Sequence, residues 1–172
     1  MRILLPLSFA LLLAACQSAP IPAPKACPRI AFVPDAETVF HYLPGRSGED
    51  EALVSRAALA NYGGQCSQTE DGKIDVEMFL AIAAQPGPAL AGKEEGYDYF
   101  VAVLAPDGTP LAKKVFHRSI LFEKNAKDNT TWVEENLHQR IPLASCGDGG
   151  ACQIVIGFQL TPDELTFNRT RK

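Results

Sequence analysis

The sequence predicts an all-β protein, an antiparallel β-sandwich of immunoglobulin or fibronectin type that ends in a short C-terminal helical turn. Short segments rich in β-branched and aromatic residues recur along the chain, and turn-forming residues separate them. Strands and helices do not alternate in the way that builds a parallel sheet, and the sequence contains no internal repeat. These observations favour two packed antiparallel sheets.

The first strands are expected at residues 29–33 (RIAFV) and 38–43 (TVFHYL), where apolar, aromatic and β-branched residues follow one another. Residues 51–62 (EALVSRAALANY) have a helix-forming composition instead. A sandwich needs a strand at about this point of the chain. We therefore predict a strand over 51–62 against its local propensity, with a glycine pair following it.

The middle of the chain predicts three more strands. A turn at residues 70–73 (EDGK) precedes a segment whose apolar residues take every second position, namely Ile74, Val76, Met78, Leu80 and Ile82. Period two indicates a strand with one buried face. Residues 97–105 (YDYFVAVLA) are almost continuously apolar, which predicts a central strand. The turn at 106–108 (PDG) then leads into a returning strand over 111–122.

The C-terminal part contains one ambiguous and two clear segments. Residues 131–143 fit both a helix and one side of a strand, so their periodicity leaves the structure open. Residues 152–160 alternate strictly, with Cys152, Ile154, Ile156, Phe158 and Leu160 on one face. Residues 161–164 (TPDE) combine an N-cap threonine, a proline at the first helical position and a glutamate at the third, which predicts the start of a helix.

The N-terminal segment has the features of an export signal. Arg2 supplies a charged start, residues 3–15 are apolar, and small residues precede Cys16. A membrane-spanning helix needs about 20 apolar residues. The run is therefore too short for a permanent transmembrane helix, and we expect a cleaved signal peptide over residues 1–15.

The sequence Leu13, Ala14, Ala15, Cys16 resembles the lipobox of bacterial lipoproteins. This resemblance implies that the Cys16 thiol is acylated and that Cys16 becomes the mature N-terminus. Two or more acyl chains hold a protein on a membrane stably, whereas one binds only marginally. The alternative is an ordinary secretory signal in which a cysteine follows two alanines.

The resemblance also implies a location. Gln17 stands where an aspartate would favour retention in the inner membrane of enterobacteria, which points to the outer membrane, facing the periplasm. We expect residues 16–26 to form a proline-rich tether and residues 27–172 a single domain. The stretch 157–169 (GFQLTPDELTFNR) and the pair at 27–28 (CP) are similar to uncharacterised periplasmic lipoproteins of alphaproteobacteria, a likeness that implies no activity.

The cysteine count fits an exported lipoprotein. With Cys16 lipidated, four cysteines remain: Cys27, Cys66, Cys146 and Cys152. An even set in an oxidising compartment indicates two disulfides, for which three connectivities exist. We favour Cys27 with Cys66 and Cys146 with Cys152, since the glycines between the last two permit a tight loop. A zinc site from the four thiols is the alternative, although the CxxC pairs typical of zinc sites are missing.

No catalytic motif is evident. His41, His117 and His138 are scattered, and no two have the spacing of a metal-binding pair. The serines include no G-x-S-x-G elbow. Asp75 and Glu77 alternate on one strand, where two carboxylates indicate a solvated sheet face more often than an acid–base pair. We therefore predict neither an enzyme nor a metal or other cofactor.

The expected function is that of a lipid-anchored, non-enzymatic envelope protein that presents a strand edge or a loop surface to another envelope protein. Its formal net charge of -4 at pH 7 argues against nucleic acid as a partner. The second hypothesis is a periplasmic small-ligand or metal-binding protein. In it, Tyr97, Tyr99, Phe100 and Trp132 would line a pocket, although aromatic residues more often belong to the core.

Overall fold

The computed structural model describes residues 26–122, 129–147 and 150–171. Over these ranges the chain forms eight strands followed by one α-helix. In chain order the elements are β1 (Arg29–Phe32), β2 (Thr38–Tyr42), β3 (Leu53–Gln68), β4 (Lys73–Pro86), β5 (Glu94–Leu104), β6 (Pro110–Leu121), β7 (Thr131–Pro142), β8 (Gln153–Phe158) and α1 (Pro162–Thr170). The predicted fold class, an all-β sandwich with a short C-terminal helix, is confirmed.

The strands form two four-stranded sheets. The first sheet has the order β1-β8-β5-β6 and the second has the order β2-β3-β4-β7. All pairs are antiparallel except β1 with β8, which run parallel. One hydrophobic cluster fills the space between the sheets, because the four inner strands, β3, β4, β5 and β8, direct buried apolar side chains into it.

Strand β3 is longer than the sequence predicts. The expected strand over 51–62 is confirmed from Leu53 onward, but β3 runs on through Gly63 and Gly64 to Gln68. A β-carbon on Gly64 would lie 2.8 Å from the Glu77 carbonyl oxygen and 3.3 Å from Cδ1 of Ile30. The glycine therefore permits close packing inside a strand, past the expected end of that strand.

The ambiguous segment 131–143 forms a strand. Residues Thr131–Pro142 pair with β4 over their full length, so tertiary pairing decides what local periodicity leaves open. The capping prediction is also confirmed: the Thr161 hydroxyl accepts a hydrogen bond from the Glu164 amide, and the Glu164 carboxylate accepts one from the Thr161 amide. Helix α1 is nine residues long.

The two expected disulfide pairings are present. The Sγ atoms of Cys27 and Cys66 lie 2.03 Å apart, and those of Cys146 and Cys152 lie 1.99 Å apart. The first bond joins the segment before β1, in the first sheet, to β3 in the second sheet. It therefore links the two layers of the sandwich at the N-terminal end of the domain.

The sandwich has two unlike sides. On the covered side the sheets end in the short strands β1 and β2, and α1 packs on β2 through Phe167, whose ring centroid lies 5.6 Å from that of Phe40 and 5.4 Å from that of Tyr42. On the open side the sheets end in β6 and β7, each of 12 residues. Arg118 and Glu135 link these two strands across the sheets.

Candidate functional site

The predicted lipidation site, Cys16, and the other lipobox residues lie outside the described residues. In the part of the chain that is described, no helix has the length and apolar character needed to cross a membrane.

The three histidines each lie beside a carboxylate on a neighbouring strand or turn. Nδ1 of His41 is 2.9 Å from Oε1 of Glu95, and Nδ1 of His117 is 2.7 Å from Oδ1 of Asp98. His138 approaches a different carboxylate on β4, at 3.4 Å. Within residues 26–122, 129–147 and 150–171, no three His, Cys, Asp or Glu side chains converge in a way that could hold a metal ion.

Two of the histidines border a small cleft formed by residues of β2, β5, β6 and the start of α1, which we call the histidine cleft. Its volume is about 190 Å³, and its lining consists of Val39, His41, Gly96, Tyr97, Asp98, His117, Gln159, Thr161 and Glu164. The His41 ring stacks on the Tyr97 ring with centroids 5.1 Å apart. Most of the polar side chains of the cleft are already paired. His41 pairs with Glu95, His117 pairs with Asp98, and Glu164 closes the capping box of α1 with Thr161. We interpret the cleft as a polar contact region where β2, β5, β6 and α1 meet.

Tyr97 is an unusual member of this cleft. Its side chain is 1 % exposed, and its hydroxyl lies near that of the fully buried Ser55 without forming a well-aligned hydrogen bond. Burial raises the pKa of Tyr97 to about 12, an effect that the Ser55 hydroxyl opposes and Glu95 reinforces. The phenol therefore stays protonated at neutral pH and does not act there as a general base.

The four aromatic residues proposed to line a pocket do not meet. Tyr97 and Tyr99 are buried in the core. Phe100 lies on the outer face of the first sheet, over Gly157. Trp132 is 64 % exposed on the outer face of the second sheet. The expectation of one shared aromatic pocket is therefore wrong, because alternation along a strand sends neighbouring side chains to opposite faces.

Trp132 instead borders a groove on the outer face of the second sheet, which we call the aromatic groove. Its volume is about 320 Å³, and its lining consists of Thr38, Phe40, Arg56, Ala57, Ala58, Ala83, Gln85, Thr130 and Trp132. Alanines form the floor, because Ala58, Ala83 and Trp132 lie in one row across β3, β4 and β7. The Arg56 guanidinium donates to the Gln85 side-chain oxygen, with Nε 2.7 Å away.

The open side offers a different surface, the free edge of β6. The Phe122 amide donates a hydrogen bond to the Lys93 carbonyl. This pair and every second pair after it along β5 and β6 therefore exchange backbone hydrogen bonds. In an antiparallel ladder these pairs alternate with pairs whose N–H and C=O groups point away. The backbone groups of Lys113, Val115 and His117 therefore point away from β5, and no other described strand pairs with them.

The N-terminal half of β6 is exposed on both faces. All six residues from position 110 to position 115 are exposed, and the apolar side chains of Leu111 and Val115 are 44 % and 47 % exposed. The Lys113 ammonium lies 4.2 Å from the centroid of the Phe100 ring, and the Lys114 ammonium lies 4.9 Å from that of Phe116. This half of β6 presents backbone, apolar and cationic groups together, a combination that the sequence alone did not reveal.

Comparison with known proteins adds no relative. No known family, no curated protein and no solved structure matches the chain.

Proposed function

We propose that this protein is a lipid-anchored, non-enzymatic component of the bacterial envelope that binds another envelope protein through the free edge of β6. The lipobox-like sequence ending at Cys16 supports the anchor. The edge of β6 supports the binding role and is the observation that carries the proposal.

A long strand with an unpaired edge is unusual in a protein that acts alone. Such an edge is a template for pairing with another chain, and monomeric proteins shorten it, cover it or place charges on it. The edge strands of the covered side are only 4 and 5 residues long. On the open side β6 is 12 residues long, and the half before Phe116 is exposed on both faces.

The anchor is tested by the intact mass of the protein purified from its native membrane. We expect a chain that begins at Cys16 and carries the mass of acyl groups, and we expect a Cys16→Ala variant to lack them. A mature chain without acyl mass would contradict the anchored form of the proposal.

The binding role is tested by photo-crosslinking in intact cells. A photoreactive amino acid at Leu111, on the open side, is expected to give an adduct with a specific envelope protein. The matched control is the same amino acid at Leu43, which is 38 % exposed and lies at the end of β2. Failure to recover a specific protein at Leu111 would count against the proposal.

A second candidate function is the binding of a small ligand in the aromatic groove. The observation in its favour is the side chain of Trp132, which stands 64 % exposed at the rim of an alanine floor. Native mass spectrometry of the full-length protein is expected to show a retained small molecule that a Trp132→Ala variant loses. A bare protein mass in both samples would weaken this alternative.

A further inference from the structure

We infer that the partner contributes an extended acidic segment, which adds to the first sheet as a strand beside β6. This inference rests on the proposed function and names the chemistry of the partner. Strand addition of this kind takes its affinity from main-chain hydrogen bonds and its specificity from alternate side chains.

The main-chain groups are in place for such an addition. The N–H and C=O groups of Lys113 and Val115 point away from β5, as the ladder register requires. A new strand about 4.8 Å from β6 would exchange hydrogen bonds with both residues. It would meet little steric resistance, because residues 110–115 are exposed on either face of the sheet.

Charge selects the partner. Strand β6 contains Lys113, Lys114 and Arg118 and no acidic residue, although the whole chain has a net charge of -4. Arg118 is neutralised by Glu135, with Nε 3.1 Å from Oε1. Lys113 contacts a glutamine amide and a ring, and Lys114 contacts a ring, so neither ammonium has a carboxylate partner among the described residues.

A second copy of the same strand does not fit this edge. Strand β6 contains no acidic residue, so a second β6 offers no carboxylate to Lys113 or Lys114 in any register. Carboxylates opposite Lys113 and Lys114 would instead form cross-strand pairs on both faces. Val115, which lies on the same face as Lys113, favours an apolar residue in the partner because it lies beside Phe100 on the sheet.

The test uses two synthetic seven-residue peptides and the full-length protein in detergent. One peptide carries two adjacent glutamates next to a valine in a threonine background, so that its carboxylates face both sides of the sheet. The other peptide has lysines in place of the two glutamates. Fluorescence anisotropy is expected to show binding of the glutamate peptide at least about tenfold tighter than that of the lysine peptide. Equal binding of the two peptides would overturn the inference.

Three variants locate the interaction. Charge reversal by Lys113→Glu with Lys114→Glu is expected to invert the preference between the peptides. The matched control, Arg29→Glu with Lys93→Glu, makes the same change in net charge at two other exposed positions and should keep the preference. Val115→Pro removes an outward N–H, which an edge strand tolerates, and should weaken binding of the glutamate peptide about tenfold. An unchanged preference in the first variant would contradict the inference.

The outcome separates the inference from the proposed function. If neither peptide binds while crosslinking at Leu111 still captures an envelope protein, the acidic-strand inference fails and the binding role stands. If crosslinking also fails, both fail.

Discussion

The covered and open sides of the sandwich differ in how their strand edges are protected. On each side, two edge strands have no further strand beside them in the described part of the chain. On the covered side the edge strands are short, α1 packs on one of them, and the Cys27–Cys66 bond fastens the segment leading into the other. On the open side both strands are long, and charged side chains on them take the place of a covering helix.

The comparison shows where protection is incomplete. On the open side, Arg118 and Glu135 pair between the sheets, where charged groups discourage unwanted strand pairing. The half of β6 before Phe116 lacks such a pair, and its two lysines fold back on neighbouring rings. Among the described residues, the backbone edge in this half of β6 is therefore neither covered nor protected by an ion pair, and another strand can reach it.

The largest effect is expected from removing the disulfide of the covered side. The bond between Cys27 and Cys66 closes a loop with a sequence separation of 39. By chain entropy, Cys27→Ala with Cys66→Ala should lower the free energy of unfolding by about 4 kcal/mol. Urea denaturation measures the change. A loss below about 1 kcal/mol would show that β1 is held in place without the bond. The disulfide would then not explain how the covered side is protected.

A second effect concerns the core beneath the covered side. The phenol of Tyr97 has an ordinary pKa of 10.0, raised to about 12 by burial. The unfolded chain therefore releases this proton at lower pH than the folded protein, and stability is lost as the pH rises from 10 to 12. The loss amounts to about 3 kcal/mol.

The Tyr97→Phe variant separates this contribution from that of the other tyrosines. It should flatten the alkaline fall in the free energy of unfolding, and it should change stability little at pH 7 because, among the described groups, the hydroxyl makes no more than a weak contact with the Ser55 hydroxyl. Denaturation curves between pH 7 and pH 12 give both values. An unchanged alkaline slope in the variant would refute the assignment to Tyr97.

A smaller effect is expected from the cap of the helix that covers β2. Thr161→Ala removes the hydroxyl that accepts a hydrogen bond from the Glu164 amide. We expect it to lower the free energy of unfolding by about 1 kcal/mol. Amide exchange in the first turn of α1 should accelerate. Thr170→Ala, at the other end of the helix, is the control and should change stability by less than about 0.5 kcal/mol. Equal effects of the two substitutions would argue against a role for the cap.

The smallest effect belongs to the ion pair of the open side. The Arg118 and Glu135 side chains are 42 % and 22 % exposed, so solvent screens much of their attraction. A double-mutant cycle with Arg118→Gln and Glu135→Gln should give a coupling energy of about 0.5 kcal/mol. A coupling near zero would remove this pair from the explanation of how the open side is protected.

Much of the fold was predictable from local pattern. Strict alternation in β4 and β8 follows from burial of one face, and the TPDE sequence identifies the start of α1. Tertiary pairing decided the rest. Residues 131–142 form a strand because β4 pairs with them, and β3 continues through Gly63 because it pairs with Phe79 of β4. The missing side chain of Gly63 leaves room for the Phe79 ring, which lies 2.5 Å from where a β-carbon would be.

The candidate site was less accessible to sequence reasoning. The segment PLAKKV predicts a strand but says nothing about which strand lies at the end of a sheet, since sheet order depends on long-range contacts. Likewise, the separation of Trp132 from Tyr97 depends on which sheet each strand joins. One signal was available in advance: β6 carries several cations and no acid in an acidic chain.

The most direct test of the central claim is residue-resolved amide hydrogen exchange of the purified full-length protein. If β6 has a free edge, the amides of Lys113 and Val115 exchange rapidly, while those of Ala112 and Lys114, which donate toward β5, are protected. Equal protection of all four amides in the isolated protein would show that the edge is already paired. It would then not be available to a partner.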